Sequence, residues 1–170
     1  DSTRELVKEI VKDAETDLDK AIAIEEYLRK NYEYTFNVEK VPEGREFVDY
    51  FLFESRKGYC TYYATSMAVM LRLEGIPARY IEGYVARDSS VKGIYKVKNN
   101  NAHAWVEAFI EPVGWMTFDP TPAYPQIERF AEGPKDDLEE NTEAIESERF
   151  ADVNRERLQT MRMREMEADE

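Results

Sequence analysis

One cysteine and one histidine lie in segments that differ in composition from the rest of this charged chain. Cys60 stands in "GYCTYYAT" and precedes eleven residues, Thr61 to Leu71, without a charged side chain, although 35% of the whole sequence is charged. His103 stands in "NNNAHAWVEAFI". An imidazole beside a thiol is one of the two common sources of a reactive thiolate. The alternative for a lone cysteine is a small, inert, buried side chain.

The uncharged run predicts a helix that begins at Cys60 and is buried in the middle of the fold. The segment "CTYYATSMAVMLRLEG" is apolar almost all the way round, and Gly75 followed by Pro77 is a typical helix stop. The first backbone N–H groups of a helix have no partner within it, so they can stabilise a thiolate and the oxyanion that forms when the thiol attacks a carbonyl. Gly58 would let the chain approach this turn closely.

The segments after this helix predict strands that bring a carboxylate to the histidine. Four short strands are expected: 78–86, 93–97, 103–110 and 114–118. Because side chains alternate along a strand, His103 and Trp105 should share a face. Antiparallel pairing across the turn "EPVG" returns Asp119, at the end of the last strand, to the side of His103. Cys60, His103 and Asp119 are therefore candidates for a nucleophile, a base and a group that orients the base.

The segments before Cys60 predict helices. Residues 1–31 are expected to be helical with a break near Asp13 to Thr16, where "TDLD" supplies a cap and an acidic first turn. An extended piece, a turn at Pro42 to Gly44 and a short apolar segment, Phe47 to Phe53, lead into Cys60. Since strands follow the central helix without further helices between them, the fold class predicted is α+β, with an antiparallel sheet against one central helix.

Three motifs together resemble a known family. The runs "KGYCTYYATSMAVMLRLEGIPARYIEGYV", "NAHAW" and "GWMTFDPTP" resemble the transglutaminase-like core domain of the papain-like cysteine enzyme superfamily, in the form found in bacterial membrane-anchored proteins. The similarity covers about residues 16–122. The resemblance implies a central helix bearing Cys60 as nucleophile, and a sheet bearing His103 as acid and base and Asp119 as orienting carboxylate. In papain-like relatives a glutamine six residues before the cysteine donates to the oxyanion; here that position is Glu54, so the second oxyanion donor stays open.

The resemblance also implies an activity and a location. It implies cysteine-dependent acyl transfer or hydrolysis on peptide or glutamine amides: a transglutaminase if the acceptor is a lysine, a cysteine protease if a peptide bond is the donor and water the acceptor. A non-catalytic extracellular binding module that retains the fold is the alternative. The expected partner is a protein or peptide substrate. The expected location is the extracellular face of a bacterial membrane, as a domain of a larger membrane protein, with a cytoplasmic location as the alternative.

Composition excludes several other classes. The net charge of −13 disfavours binding to nucleic acid. The sequence also has no stripe of basic residues that could follow a phosphate backbone. One cysteine and one histidine cannot build a zinc site from several sulfur and imidazole ligands, and no cofactor is expected. No run of eighteen apolar residues predicts a membrane span.

The composition changes after "DPTPAYP". Residues 134–170 contain thirteen acidic and six basic residues, and apolar positions become sparse. We therefore expect two parts: a catalytic domain over residues 1–133, and an acidic, partly helical C-terminal extension over residues 134–170.

A chain truncated after Gly133 should keep nearly the same thermal midpoint, because the extension has few apolar side chains with which to pack on the domain. Thermal unfolding followed by circular dichroism measures the difference. A drop of several degrees or more would contradict the prediction, since it would show that the extension contributes as much as a buried side chain.

Overall fold

The computed structural model describes residues 2–86 and 95–127. The helices are α1 (Ser2–Ile10), α2 (Asp17–Asn31), α3 (Phe47–Asp49) and α4 (Cys60–Leu73). The strands are β1 (Glu33–Tyr34), β2 (Lys57–Gly58), β3 (Ala78–Tyr84), β4 (Ala102–Ile110) and β5 (Gly114–Phe118). A π-helical segment, Tyr50–Ser55, continues α3, and a 3-10 turn, Asn99–Asn101, precedes β4.

Helix α2 begins where the sequence predicts. The Thr16 hydroxyl accepts a hydrogen bond from the backbone N–H of Asp19 at 3.1 Å, and the Asp19 carboxylate accepts one from the backbone N–H of Thr16 at 3.1 Å. This reciprocal pair is a capping box, which satisfies two backbone donors that the helix itself leaves without partners. The cap fixes the start of a helix whose Ile24 and Leu28 side chains are fully buried.

Helix α4 is the central helix of the fold. It begins at Cys60, and eight of its residues are buried: Tyr62, Tyr63, Ala64, Ser66, Met67, Ala68, Met70 and Leu71. It packs against β3, β4, α1 and α2. At its end Gly75 adopts a left-handed conformation, with φ of 80°, and the N–H of Ile76 donates to the carbonyl of Leu71. The predicted buried helix and its stop are confirmed.

The main sheet has three antiparallel strands in the order β3-β4-β5. Every second residue of β4, from Ala104 to Ile110, belongs to the core, whereas the residues between them from Trp105 to Phe109 are more exposed. The α+β class is therefore confirmed. A two-stranded parallel pair, β1 with β2, was not predicted; it sets Tyr34 opposite Gly58 and so ties the extended segment to the chain just before Cys60.

The expected strand at 93–97 is wrong for the part that the structure describes. Residues 95–97 belong to no strand, and Tyr95 and Val97 are 59% and 50% exposed. Alternating apolar residues stabilise a strand only where a neighbouring edge accepts their backbone and a core accepts their side chains. Within the part of the chain that the structure describes, residues 95–97 pair with no strand, and neither Tyr95 nor Val97 belongs to the core. Residues 93–94 lie outside the described ranges. The first strand of the sheet also ends at Tyr84, two residues before the expected Ala86.

The expected division into residues 1–133 and 134–170 stays a prediction, because the extension lies outside the described residues.

Replacing Gly58 by alanine should destabilise the protein by about 1–3 kcal/mol. A Cβ atom at this position would lie 2.6 Å from the Cβ and Cγ atoms of Tyr62, on the first turn of α4. Urea unfolding measures the loss, and Lys57→Ala, one residue earlier in β2, is the matched control, expected within about 0.5 kcal/mol of the wild type. Equal stability of the Gly58→Ala variant and the wild type would mean that close approach does not constrain this turn.

Candidate active site

Cys60 occupies the first position of α4 and is half-buried. Tyr59 precedes it in extended conformation as the N-cap. The backbone amides of Thr61 and Ala104 lower the pKa of the Cys60 thiol. Thr61 and Ala104 line the same cleft as Cys60, so the thiol lies where the start of the helix meets the start of β4.

His103 lies at the start of β4, is 5% exposed and faces Asp119. Its Nε2 atom lies 2.7 Å from Oδ2 of Asp119. Burial disfavours the charged imidazole, but the hydrogen bonds and charges of Asp119 and Cys60 outweigh burial and raise the pKa of His103 to about 9. The imidazole is therefore protonated at neutral pH.

The interaction between His103 and Cys60 also changes the pKa of the thiol. Burial raises the pKa of Cys60, while the hydrogen bond and charge of His103 and the backbone amides of Ala104 and Thr61 lower it by more, so the pKa lies below its usual value. The other ring nitrogen of His103, Nδ1, is buried and has no hydrogen bond of standard geometry within the described residues. That nitrogen is thus available to the thiol, and a thiolate–imidazolium pair is the favoured state.

Asp119 is held by more contacts than the hairpin alone provides. Its Oδ1 atom accepts from the N–H of Thr121 at 3.0 Å, and its own backbone N–H donates to Oε1 of Glu25 at 2.7 Å. Its backbone carbonyl accepts from Arg29 at 2.8 Å. Sequence reasoning did not identify Glu25 or Arg29. The available signal was a carboxylate between Ile24 and Leu28 on the apolar stripe of α2.

Aromatic rings cover the imidazole. The ring of Tyr124 stacks on His103 with a centroid separation of 3.6 Å and an interplanar angle of 13°. The ring centroids of Trp105 and His103 are 6.3 Å apart, and the two side chains lie on the same face of β4, as predicted. Tyr124 was not predicted, because it lies in an irregular segment after β5 whose path does not follow from strand pairing.

A cleft of about 420 Å³ opens beside Cys60 and His103. Aromatic side chains form much of its lining: Phe36, Tyr59, Tyr80 and Tyr84. Glu82 also lines it, and the Tyr80 hydroxyl donates to Glu82 Oε1 at 2.6 Å. Tyr59 is the residue next to Cys60, and Tyr80 and Tyr84 belong to β3.

Four aromatic residues that lie near Cys60, His103 and Asp119 in the sequence do not line this cleft. Tyr62 and Tyr63 are buried in the core, because the first turn of α4 directs them inward. Trp115 stacks with Arg79 and contacts Phe109, and Trp105 packs beside His103.

Glu54 does not reach the candidate site either. Its carboxylate pairs with Arg45, and both residues line a separate depression that contains neither Cys60 nor His103. Within residues 2–86 and 95–127, no three histidine, cysteine or acidic side chains converge as metal ligands. No helix in these ranges is long and apolar enough to cross a bilayer.

The chain is similar in sequence to a known family and to individual proteins. The family model described as the transglutaminase-like superfamily matches residues 4–120. The chain is 40% identical over 135 residues to the uncharacterized protein YebA of Bacillus subtilis, which covers 75% of this chain and 18% of YebA. It is 40% identical over 95 residues to a protein-glutamine gamma-glutamyltransferase of Pseudomonas aeruginosa, which covers 55% of this chain and 14% of that protein.

A solved structure is similar as well. The periplasmic domain of TgpA from Pseudomonas aeruginosa, bound to ethylmercury, superposes with a TM-score of 0.60 at 34% sequence identity, covering 70% of this chain and 43% of that one. The chain thus spans less than half the length of each of these relatives.

Iodoacetamide should label Cys60 rapidly in the native protein at pH 7. The thiol reacts as thiolate, so a lowered pKa keeps it reactive at pH values where an ordinary thiol is protonated, and the rate falls only as pH drops through the lowered value. His103→Ala removes the favourable charge and should slow labelling at pH 7 by roughly tenfold for each unit by which the thiol pKa rises. Labelling rate against pH, followed by mass spectrometry, measures both.

The control for this comparison is Asn100→Ala, an exposed substitution three residues before the histidine. It should leave the profile unchanged. A wild-type thiol that reacts only after denaturation would support an inert buried cysteine.

Proposed function

The chain belongs to the transglutaminase-like superfamily, and we propose that it is a cysteine enzyme that transfers or hydrolyses the acyl group of peptide or glutamine amides. The observation that carries the proposal is the arrangement of His103, whose Nε2 is held by Asp119 while the ring favours the thiolate of Cys60. In this proposal Cys60 is the nucleophile, His103 the acid and base, and Asp119 the orienting carboxylate.

The first half-reaction forms an acyl-enzyme. The Cys60 thiolate attacks the carbonyl carbon of the amide, a C–S bond forms, and the carbonyl electrons move to oxygen. Backbone N–H groups at the start of α4 stabilise this oxyanion. The oxyanion then collapses, the C–N bond breaks, and the imidazolium of His103 gives its proton to the leaving nitrogen, which departs as ammonia or an amine.

The second half-reaction releases the acyl group. Neutral His103 takes a proton from water or from an acceptor amine as that nucleophile attacks the thioester carbonyl. The C–S bond breaks, and the thiolate–imidazolium pair is restored. Asp119 keeps the same ring nitrogen paired throughout, so that the imidazole changes protonation state without turning. Because the reaction needs thiolate and imidazolium together, its rate should fall above about pH 9, where His103 loses its proton.

We propose a glutamine side chain as the acyl donor, with water and an amine as competing acceptors. A relative is named a protein-glutamine gamma-glutamyltransferase, which favours a glutamine side chain as acyl donor. Phe36, Tyr59, Tyr80 and Tyr84 restrict the approach of water, and the carboxylate of Glu82 can accept a hydrogen bond from an amine, which attacks in its neutral form. The open side of the cleft still admits water. Hydrolysis and transfer are therefore proposed to proceed from one acyl-enzyme.

We also propose that this domain lies on the extracellular side of a bacterial membrane, as part of a larger membrane-anchored protein. Similarity to a periplasmic domain supports this location, and the small share of its relatives that the chain covers is in keeping with a domain of a longer protein.

Incubation with a glutamine-containing peptide and a labelled primary amine should give slow deamidation, with transfer to the amine appearing only when the amine is abundant. Mass spectrometry distinguishes deamidation, amine incorporation and backbone cleavage in one sample. Cys60→Ala should abolish all products, because hydrolysis and transfer share one acyl-enzyme. Val113→Ala, in the exposed turn between β4 and β5, is the control and should leave product formation unchanged.

Failure to change any peptide in a broad panel, together with no acyl adduct on Cys60, would contradict the enzyme proposal and favour a binding module that retains the fold.

A further inference from the structure

We infer that Glu25 and Arg29 of α2 are positioning residues that hold the backbone of Asp119 and thereby aim its carboxylate at His103. The inference rests on the function proposed above and adds two residues to its site. Both residues bind the backbone of Asp119 and are proposed to act through it.

The two residues hold Asp119 from both sides of its Cα atom. Oε1 of Glu25 accepts from the Asp119 N–H at 2.7 Å, and Nη1 of Arg29 donates to the Asp119 carbonyl at 2.8 Å. Residues four apart lie on the same face of a helix, so a single helical turn supplies the acceptor and the donor. With both backbone groups held, the direction in which the side chain leaves the backbone is fixed.

The remaining polar atoms of Asp119 are also paired. Oδ1 accepts from the Thr121 N–H at 3.0 Å, and Oδ2 lies 2.7 Å from Nε2 of His103. Arg29 also holds the carbonyl of Thr121 at 2.8 Å, so it restrains the donor to Oδ1 as well. Every hydrogen-bonding group of Asp119 thus has a partner. Two of those partners, Glu25 and Arg29, lie on α2.

Arg29 also binds the backbone of Tyr124, whose ring covers the imidazole. Its Nη2 donates to the carbonyl of Tyr124 at 2.7 Å, and the Tyr124 ring stacks on His103 at 3.6 Å. The same guanidinium therefore restrains the carboxylate at the edge of the imidazole and the aromatic ring on its face. A planar guanidinium with several fixed donors suits this task better than a lysine, which presents a single ammonium on a flexible stem.

The burial of Glu25 requires a compensating role. Its side chain is fully buried on a helix face where Ala21, Ile24 and Leu28 are also fully buried. Taking a carboxylate out of water costs free energy that an apolar residue would not incur, and hydrogen bonds with protein groups must offset that cost. The bond to the Asp119 N–H is one that an apolar side chain could not make.

Small displacements of Asp119 matter because the contact with His103 is short. A shift of about 1 Å would break the bond at Nε2, and errors of this size in a catalytic constellation reduce rates by about a hundredfold. Loss of this bond also removes a contribution that keeps His103 protonated. The positioning role therefore predicts a change in the reactivity of Cys60 as well as a change in stability.

The decisive variant is Glu25→Leu, which fills the space without an acceptor, compared with Glu25→Gln, which keeps a carboxamide oxygen. Glu26→Gln is the matched control, because Glu26 is the next residue of α2 and its partly exposed carboxylate pairs with Lys30 at 2.5 Å. The two readouts are the pH profile of iodoacetamide labelling at Cys60 and the steady-state rate of glutamine deamidation, separated into kcat and KM.

Glu25→Leu should move the labelling profile to higher pH and lower kcat by about tenfold to a hundredfold with little change in KM. Glu25→Gln should restore most of both, and Glu26→Gln should match the wild type. If Glu25→Leu does not fold, Arg29→Lys decides, because it keeps the charge but cannot hold three carbonyls; it should show the same two changes.

The experiment distinguishes failure of the positioning role from failure of the proposed function. A folded Glu25→Leu or Arg29→Lys variant with a wild-type labelling profile and kcat overturns the positioning role while the proposed function stands. A wild-type Cys60 that labels only at the pH of an ordinary thiol and forms no product overturns both.

Discussion

The buried hydrogen bond between His103 and Asp119 is the interaction on which the rest of the site depends. Burial alone would drive the imidazole to its neutral form, and a neutral imidazole would leave the Cys60 thiol protonated in a half-buried position. The 2.7 Å contact with Asp119 reverses this order by making the charged imidazole the favoured one. The charged imidazole in turn favours the thiolate of Cys60 against the effect of burial, so Asp119 acts on the thiol through His103.

Two different structural devices bring these three groups together. The hairpin of β4 and β5 sets the approximate position of Asp119, since it returns the chain to the start of β4. Helix α4 sets Cys60, and the buried face of β4 packs against that helix. A hairpin end is an imprecise support, however, because the chain is released from the sheet at Phe118. The contacts with α2 restrain the released segment, so a helix from the first 31 residues completes the candidate site formed by Cys60, His103 and Asp119.

Much of this arrangement could be predicted from the sequence because it depends on local patterns. The uncharged run after Cys60, the capping pair of Thr16 and Asp19, and the turn before β5 each specify their structure within a few residues. The pairing that brings Asp119 to His103 follows from one short turn. The contacts of Glu25 and Tyr124 could not be predicted in the same way, since they join residues about 20 or more positions apart through an irregular segment. The parallel pairing of β1 with β2 could not be predicted for the same reason.

The cleft shows how similar residue types can have different roles according to the element that carries them. Tyr59 precedes α4 and lines the cleft, whereas Tyr62 and Tyr63, on the first turn, are buried. Which of these tyrosines faces the cleft does not follow from the sequence, because a helix start must be located to within one residue before the directions of its side chains are known. The walls instead draw Tyr80 and Tyr84 from β3, which pairs with the strand that carries His103. The sheet therefore supplies both the proposed base and part of the cleft surface, so changes in β3 are expected to alter substrate choice without removing the proposed catalytic groups.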